Sequence, residues 1–206
     1  MIKNVIFDFG RVIVDFDEAK MTRVYIKNED EARVAERVIF DRLYWDPLDV
    51  GDISDEDVKR GIASRLPEHL VAAAHRVYDH WIDHVDILPG IEDAILEAKR
   101  HADGIYLLSN ISCFFAENYA SRPTLARILS HFDGLVFSGP LRMVKPDARI
   151  FRYLLDRYGL TAEECLFIDD SPKNVASAAA LGIKTYLFDG DTAKLKNDLI
   201  ALFSSK

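Results

Sequence analysis

Cysteine is scarce in this sequence: Cys113 and Cys165 are the two that occur among 206 residues. Two cysteines are too few for the disulfide framework of a small secreted domain. Basic residues are also in deficit, because 26 Lys and Arg face 34 Asp and Glu and the formal net charge is −8. That balance argues against a general binder of nucleic acid or of anionic membranes.

Long apolar runs are missing as well. The first residues are too short an apolar stretch for a signal peptide, and no segment approaches the ~20 apolar residues of a membrane-spanning helix. Low-complexity tracts and internal repeats do not occur in the sequence. We therefore expect a cytoplasmic globular protein that binds neither nucleic acid nor membrane.

Five short apolar runs are spread along the chain, and most of them end in a polar or glycine-containing stretch. They are 5–7, 105–108, 135–137, 165–168 and 185–188. Their apolarity is continuous rather than alternating, which is typical of strands buried on both faces of a parallel sheet. Apolar residues recur at helical spacing between these runs, over 91–98, over 150–158 before Gly159, and over 175–181 before Gly182. This alternation predicts a doubly wound α/β fold with a parallel sheet.

The stretch from residue 17 to residue 86 breaks the alternation. It contains no clear strand but several amphipathic patterns, and a Gly51-Asp52-Ile53-Ser54 turn leads to Ser54 as a helix N-cap. A helical insertion after the first strand explains this best. The predicted organisation is therefore a core domain of residues 1–16 and 87–206 and a small helical cap of residues 17–86.

Polar residues follow the predicted strands, at the sheet edge where open α/β folds bind ligands. Asp8-Phe9-Gly10-Arg11 follows the first strand, and Ser109-Asn110 follows the second; Lys145-Pro146-Asp147 precedes a helix, and Asp169-Asp170-Ser171-Pro172-Lys173-Asn174 follows the fourth strand. Carboxylates suit a magnesium ion, and a lysine, a hydroxyl and an amide suit phosphoryl oxygens. The set predicts a magnesium-dependent phosphate site.

These four segments, in this order, resemble the four motifs of the haloacid dehalogenase-like (HAD) hydrolase superfamily. The resemblance spans nearly the whole chain, and it is nearest to the small α-D-glucose-1-phosphate phosphatase type. It includes Val12-Ile13-Val14-Asp15 and Met143-Val144-Lys145-Pro146-Asp147-Ala148-Arg149-Ile150. The fold it implies is a three-layer Rossmann-like core with a parallel sheet and a helical cap.

The resemblance also implies roles for individual residues. Asp8, a lone carboxylate after an apolar strand and costly there unless bonded, corresponds to the nucleophile that forms an aspartyl-phosphate. Ser109 and Asn110 would donate hydrogen bonds to the phosphoryl group. Lys145 would neutralise charge between Asp8 and the phosphate.

The implied metal site consists of Asp8, the carbonyl of Gly10, and the pair Asp169 and Asp170. Adjacent carboxylates repel unless a cation lies between them. In the family the second member of such a pair usually binds Mg²⁺ directly, so Asp170 ranks above Asp169. Asn174 would support this acidic loop.

Gly10 departs from the superfamily pattern, which has a second aspartate there as general acid and base. The glucose-1-phosphatase-like branch also carries glycine at this position. The residue that transfers protons is therefore open, and Asp15 and Asp17 are candidates. General acid–base catalysis typically contributes ~10²–10⁴ in rate, so a slow enzyme or one that favours good leaving groups is expected.

The remaining binding candidates lie near the insertion. Arg11 follows the nucleophile turn, and Arg42, Tyr44 and Trp45 in the insertion could contact an anion and a sugar face. The alternative for these three is packing within the cap and a surface arginine. A cap of this kind closes over a site and selects the leaving group, with hinges near Asp15 and Pro89-Gly90.

The expected function is a Mg²⁺-dependent phosphomonoester hydrolase acting on a small phosphorylated metabolite, such as a hexose 1-phosphate. We expect a monomer or a weak homodimer. A 2-haloacid dehalogenase on the same scaffold is an alternative, although it needs no metal and would leave Asp169 and Asp170 repelling each other. A sugar phosphomutase and a catalytically weak phospholigand-binding regulatory protein are further alternatives, the last favoured by Gly10.

Overall fold

The computed structural model describes residues 1–204 of the chain. The strands are β1 (Asn4–Phe7), β2 (Val14–Asp15), β3 (Asp86–Ile87), β4 (Gly104–Ser109), β5 (Gly134–Phe137), β6 (Cys165–Asp169) and β7 (Lys184–Leu187). The helices are α1 (Glu18–Tyr25), α2 (Glu29–Ile39), α3 (Arg42–Val50), α4 (Asp55–Arg65), α5 (Glu68–His80), α6 (Ile91–His101), α7 (Cys113–Asn118), α8 (Pro123–Leu129), α9 (Ser138–Leu141), α10 (Ala148–Tyr158), α11 (Pro172–Ala179) and α12 (Thr192–Ser204). Short 3-10 helices occur at Trp81–Asp83, Tyr119–Ser121 and Ala162–Glu164.

A five-stranded sheet with the order β5-β4-β1-β6-β7 forms the centre of the molecule, and all its pairings are parallel. Each of the five predicted apolar runs contributes one strand. Central β1 pairs on one side with β4, where Phe7 lies opposite Leu107, and on the other with β6, where Phe7 lies opposite Ile168. This confirms the predicted α/β fold class.

The sheet is buried on both faces, which explains why its strands read as continuous apolar runs. On one face Val5 and Phe7 of β1 join a core cluster with α6 and α12. On the other face Ile6 joins a cluster with Ile150 of α10 and Ala178 of α11. The result is the predicted three-layer arrangement of helices, sheet and helices.

The helix ends follow sequence signals. Gly159 closes α10 in the left-handed conformation at φ 64°, and Ser54 caps α4 in a capping box with Asp57. One end differs from its prediction: α11 ends at Ala179, and Gly182, at φ 85°, completes a separate turn in which its N–H donates to the Ala179 carbonyl.

A helical segment, α1–α5, stands between β2 and β3. These two strands pair antiparallel, with Val14 opposite Ile87 and Asp15 opposite Asp86, and they were not predicted. Two-residue strands that each carry an exposed aspartate show no apolar pattern to detect. The division into a core and a cap at residues 17–86 stays a prediction, and Ser205 and Lys206 of the predicted core lie outside the described residues. Within residues 1–204, no helix is both long and apolar enough to cross a lipid bilayer.

Candidate active site

Three strand ends meet at one edge of the sheet. Strands β4, β1 and β6 are neighbours, so Ser109, Asp8 and Asp169 come together at their carboxyl ends. The Asp8 N–H donates to the Ile168 carbonyl at 2.9 Å, which extends the β1–β6 pairing up to the carboxylate. The parallel topology therefore brings together, at one edge of the sheet, the side chains that the sequence predicted to converge.

Lys145 lies between two of these carboxylates. Its Nζ donates to Asp8 Oδ1 at 2.6 Å, to Asp169 Oδ2 at 2.8 Å and to the Leu108 carbonyl at 2.8 Å. The Lys145 side chain is 1% exposed and that of Asp169 is 0% exposed. These three short hydrogen bonds fix the buried ammonium in position, because any other rotamer of the Lys145 side chain would break at least one of them.

The backbone of Lys145 is held by Asn110. The Asn110 Nδ2 donates to the Lys145 carbonyl at 2.8 Å, and the Lys145 N–H donates to Asn110 Oδ1 at 2.7 Å. These bonds fix the loop between α9 and α10, which carries the lysine to the sheet edge. In the structure the Asn110 amide thus positions Lys145. The sequence predicted a contact between Asn110 and a phosphoryl group, but not this positioning role.

The acidic loop after β6 is divided between two roles. Asp169 accepts hydrogen bonds from the Ser171 N–H at 2.8 Å and from Asn174 Nδ2 at 3.0 and 3.1 Å, besides the one from Lys145. Both of its oxygens are therefore occupied. Asp170 is only partly buried, and within residues 1–204 its carboxylate hydrogen-bonds with its own backbone N–H rather than with a neighbouring side chain. Asn174 holds the loop through Asp169.

The three carboxylates fit a divalent cation. Asp8, Asp169 and Asp170 each offer an oxygen, and these oxygens all lie within 4.8 Å of one another. Carboxylate oxygens are the ligands that Mg²⁺ prefers. Because Asp169 is already saturated, Asp8 and Asp170 are the more available pair.

The electrostatics of the cluster follow from burial. Burial raises the pKa of Asp8; the Lys145 ammonium opposes this rise and the Asp169 carboxylate adds to it. Burial by itself would lower the pKa of Lys145, but the two carboxylates outweigh it and the pKa is raised. Burial and the neighbouring Asp169 also raise the pKa of Asp170. The site has excess negative charge, which a bound cation would offset.

The turn after Asp8 is short and strained. The Arg11 N–H donates to the Val14 carbonyl at 2.8 Å, and Arg11 adopts a positive φ of 61°, which is uncommon for a residue with a side chain. Its guanidinium lies 3.9 Å from Glu18, and its charge opposes the rise in the pKa of Asp170 that burial and Asp169 cause. A Cβ on Gly10 would meet nothing within 4 Å, so space remains open on that side of the turn.

Ser109 is buried at the end of β4, the strand that neighbours β1 and its terminal Asp8. It is 1% exposed, and its Oγ makes one long contact, 3.4 Å, to the Asn110 carbonyl. A hydroxyl this weakly held can turn towards another acceptor.

The predicted contacts from the helical segment lie apart from this cluster. Trp45 is 8% exposed, and its Nε1 donates to the Ile39 carbonyl at 2.7 Å. Its ring packs against Phe16 and Trp81, both at 5.6 Å between centroids. Tyr44 packs beneath the Arg65 guanidinium. The structure thus uses both aromatic residues for packing, as in the alternative interpretation, and brings neither to the carboxylates.

Arg42 begins α3 at the surface. Its side chain is 80% exposed and its Nε lies 3.3 Å from Asp46, yet its charge also acts on Glu18 and Asp49. Arg11 and Arg42 therefore both lie within electrostatic reach of Glu18.

The two candidate proton-transfer residues are placed elsewhere. Asp15 is exposed in β2 opposite Asp86, and Asp17 caps α1 by accepting from the Lys20 N–H at 2.8 Å. In the helical segment, Asp49, in the last turn of α3, is a carboxylate whose charge interacts with both Asp8 and Lys145. An aspartate in an amphipathic helix is normally expected on the solvent-exposed face. The sequence therefore gave no indication that Asp49 lies near Asp8 and Lys145.

Known proteins resemble this chain over most of its length. D-ribitol-5-phosphate phosphatase of Bacteroides thetaiotaomicron is 27% identical over 192 residues, which cover 90% of this chain and 91% of that protein. A protein of Porphyromonas gingivalis described as a predicted HAD-like family hydrolase superposes with a TM-score of 0.69 at 25% identity, covering 98% of each chain. A HAD family enzyme of Bacteroides thetaiotaomicron, solved as a magnesium complex, gives a TM-score of 0.65 at 25% identity, covering 90% of this chain and 92% of that one.

The family assignment agrees with this geometry. The family model for hydrolases of the haloacid dehalogenase-like type matches residues 2–182, a range that contains Asp8 and the turn after it, Lys145 and the acidic loop. The expected likeness to the superfamily is confirmed. This chain belongs to the haloacid dehalogenase-like hydrolase family.

Proposed function

We propose that this protein is a Mg²⁺-dependent phosphatase that hydrolyses a small phosphorylated metabolite, a sugar or polyol phosphate, through an aspartyl-phosphate on Asp8. The observation that carries the proposal is the position of Lys145 Nζ, 2.6 Å from Asp8 and 2.8 Å from Asp169. A buried ammonium at that point lowers the repulsion between an anionic nucleophile and an anionic substrate.

In the proposed reaction Asp8 attacks phosphorus. Lys145 is bonded to Oδ1, so we assign the attack to Oδ2, which faces no such bond. Ser109 donates a hydrogen bond to the phosphoryl oxygens, and the positive charge of Lys145 stabilises the negative charge that spreads over them in the transition state. Water then attacks the phosphorus of the aspartyl-phosphate, which releases phosphate and restores the carboxylate.

Magnesium fits the same cluster. Asp8, Asp170 and the carbonyl of Gly10 are the groups we assign to hold it, with Asp169 and Asn174 keeping the loop in place. When bound, the ion neutralises phosphoryl charge and orients the group for attack. The magnesium complex of the related HAD enzyme supports this assignment.

We assign residues 17–86 the role of a cap that covers the site and selects the leaving group. Two adjacent chain crossings connect it to the core, through β2 and β3, and the Leu88 N–H donates to the Ile13 carbonyl at 2.9 Å beside them. A stack of rings joins the two parts, since Trp81 packs on Phe115 at 5.8 Å and Phe115 packs on Phe9 at 4.9 Å.

The substrate class rests on two supports. One relative, which matches over 90% of this chain, is named D-ribitol-5-phosphate phosphatase. The charges of Arg11 and Arg42 act on carboxylates near the cluster, on Asp170 and Asp49 respectively, and suit an anionic ligand. The third carboxylate, Asp170, favours a phosphatase over a 2-haloacid dehalogenase, because a metal-free site gains nothing from a third negative charge.

The test is phosphate release from a panel that includes 4-nitrophenyl phosphate, D-ribitol 5-phosphate and α-D-glucose 1-phosphate. Wild-type protein and Asp8→Asn are assayed with Mg²⁺ and with excess EDTA. We expect release by the wild type with Mg²⁺ only, and loss of at least about 10³-fold in Asp8→Asn, because the variant lacks the nucleophile.

An exposed aspartate provides the matched control. Asp189→Asn breaks an exposed pair with Lys194 and should leave phosphate release unchanged. Full activity of Asp8→Asn would refute the proposal. Chloride release from a 2-haloacid in the presence of EDTA would favour the dehalogenase instead.

A further inference from the structure

The C-terminal end of α3 is tied to the catalytic edge of the sheet. Ser138, which is fully buried and begins α9 directly after β5, donates its Oγ proton to the Asp49 carbonyl at 2.7 Å. The Ile111 N–H donates to the same Oγ at 2.8 Å. Asp49 is therefore linked through one hydroxyl to the segment that follows Ser109 and Asn110.

Backbone packing reinforces this link. Gly51 ends α3 in the left-handed conformation at φ 79°, and a Cβ there would lie 2.7 Å from the Gly139 carbonyl oxygen. A side chain at Gly51 would push α3 away from α9, so glycine permits the close approach. The last turn of α3 is held against the core rather than merely lying near it.

The Asp49 side chain is unusual among the carboxylates of the helical segment. It is partly buried, and within residues 1–204 no donor forms a hydrogen bond with it. Burial raises its pKa to about 7; Arg42 opposes this rise, Asp46 and Asp8 add to it, and Lys145 opposes it. From α5, Tyr78 also lies within reach of its charge, although the Tyr78 hydroxyl is bound to Asp55 at 2.8 Å.

The proposed reaction lacks a proton donor on the core side, because residue 10 is glycine. The ester oxygen of an alkyl phosphate needs a proton as its bond to phosphorus breaks. Resting on the function proposed above, we propose that Asp49 is the missing general acid and base, supplied from α3 across the site to the leaving-group oxygen.

The proton balance closes around one turnover. An Asp8 oxygen forms a bond to phosphorus while the P–O ester bond breaks, and the ester oxygen keeps the electron pair and takes the proton of Asp49. The alcohol departs. Water then bonds to phosphorus and gives a proton to the Asp49 carboxylate, while the P–O bond to Asp8 breaks with its electrons returning to Asp8. Asp49 ends protonated and Asp8 ionised, as they began.

The test compares substrates whose leaving groups need different help. For Asp49→Asn, kcat/KM is measured with D-ribitol 5-phosphate, an alkyl ester, and with 4-nitrophenyl phosphate, whose leaving phenolate is stable without a proton. Because kcat/KM reports the steps up to departure of the alcohol, the alkyl ester should lose at least about 10²-fold, the range of a proton-transfer contribution. The aryl ester should lose less than about tenfold.

The control is Asp52→Asn, three residues along, which breaks an exposed pair with Arg142 and should change neither value. Asp49→Glu should recover part of the alkyl activity, and thermal unfolding confirms that each variant is folded. Equal losses on both esters, or no loss on the alkyl ester, would overturn the role of Asp49. Those outcomes leave the proposed function standing; it fails instead if the wild type releases phosphate from neither ester.

Discussion

Replacing Lys145 by methionine should be unusually costly to stability, because it removes one cation from a buried cluster of three charged groups. Methionine keeps most of the side-chain length and leaves two carboxylates without their shared partner. The Lys145 side chain is 1% exposed, so water has little access to replace the ammonium.

The magnitude follows from what each partner keeps. Asp169 retains its bonds from the Ser171 N–H and from Asn174, whereas Asp8 and the Leu108 carbonyl lose a short hydrogen bond each. Removing one partner of a buried ion pair typically costs about 3–5 kcal/mol. We expect the free energy of unfolding to fall by about that amount near neutral pH.

Urea unfolding followed by circular dichroism and by tryptophan fluorescence measures this loss. Lys194→Met is the matched control, because its pair with Asp189 is 53% and 50% exposed, and exposed pairs contribute less than about 1 kcal/mol. The double variant Lys145→Met with Asp8→Asn should be more stable than Lys145→Met alone, since the unpaired charge is gone. If Lys145→Met costs no more than Lys194→Met, the cluster is not the buried charge network described above.

Acidification should reduce the cost of Lys145→Met. Burial raises the pKa of Asp8 in the folded protein, and a carboxyl with a higher pKa when folded binds its proton more tightly there. Lys145 opposes that rise in the wild type, so its removal raises the pKa of Asp8 further, and lowering the pH stabilises the folded variant more than the folded wild type. A stability difference that grows as the pH falls would contradict the sign of this effect.

Three further predictions concern other groups. At pH 8 a thiol reagent should label Cys113 faster than Cys165, because Cys113 is partly buried, whereas Cys165 is fully buried and burial raises its pKa to about 12. Cys113→Ser should abolish the faster phase, and labelling of Cys165 at the same rate as Cys113 would contradict its burial. Gly10→Asp should fold, because a Cβ at residue 10 meets nothing within 4 Å. The new carboxyl should raise kcat/KM for alkyl phosphates and should restore activity to Asp49→Asn. If the double variant is no more active than Asp49→Asn, that result would count against a proton-transfer defect. In wild type, kcat/KM for an alkyl phosphate should fall as the pH rises through about 7, where Asp49 loses its proton, and Asp49→Asn should lack this limb; an identical limb in both would assign it to another group.

The sheet was predictable because its strands are buried on both faces. A short, continuous apolar run such as Val5–Phe7 is best explained as a buried strand in a chain of this composition. The β2–β3 pair escaped prediction because two residues per strand carry no period, and α7 and α8 did so because helices of six and seven residues show little amphipathic pattern. Local signals served well at caps, where one residue determines the geometry, as at Ser54 and Gly159.

The candidate active site was predictable to the extent that parallel topology brings strand ends together. Asp8, Ser109 and Asp169 follow from that rule, and Lys145 follows from the family resemblance. Asp49 does not, because its position depends on how α3 packs against α9 through Ser138 and Gly139. Trp45 is the opposite case: its residue type suggested a sugar contact, but in the structure its ring packs against Phe16 and Trp81. Tertiary contacts between distant helices leave no periodic signal in the sequence.

Trapping the covalent intermediate tests the central claim most directly. Wild-type protein turning over 4-nitrophenyl phosphate with Mg²⁺ is quenched in acid, digested with trypsin and analysed by mass spectrometry of the peptide 4–11, in which Asp8 is the one carboxylate side chain. A phosphoryl group on Asp8 that hydroxylamine removes is the predicted result. Steady release of phosphate with Asp8 unmodified at every quench time would contradict it.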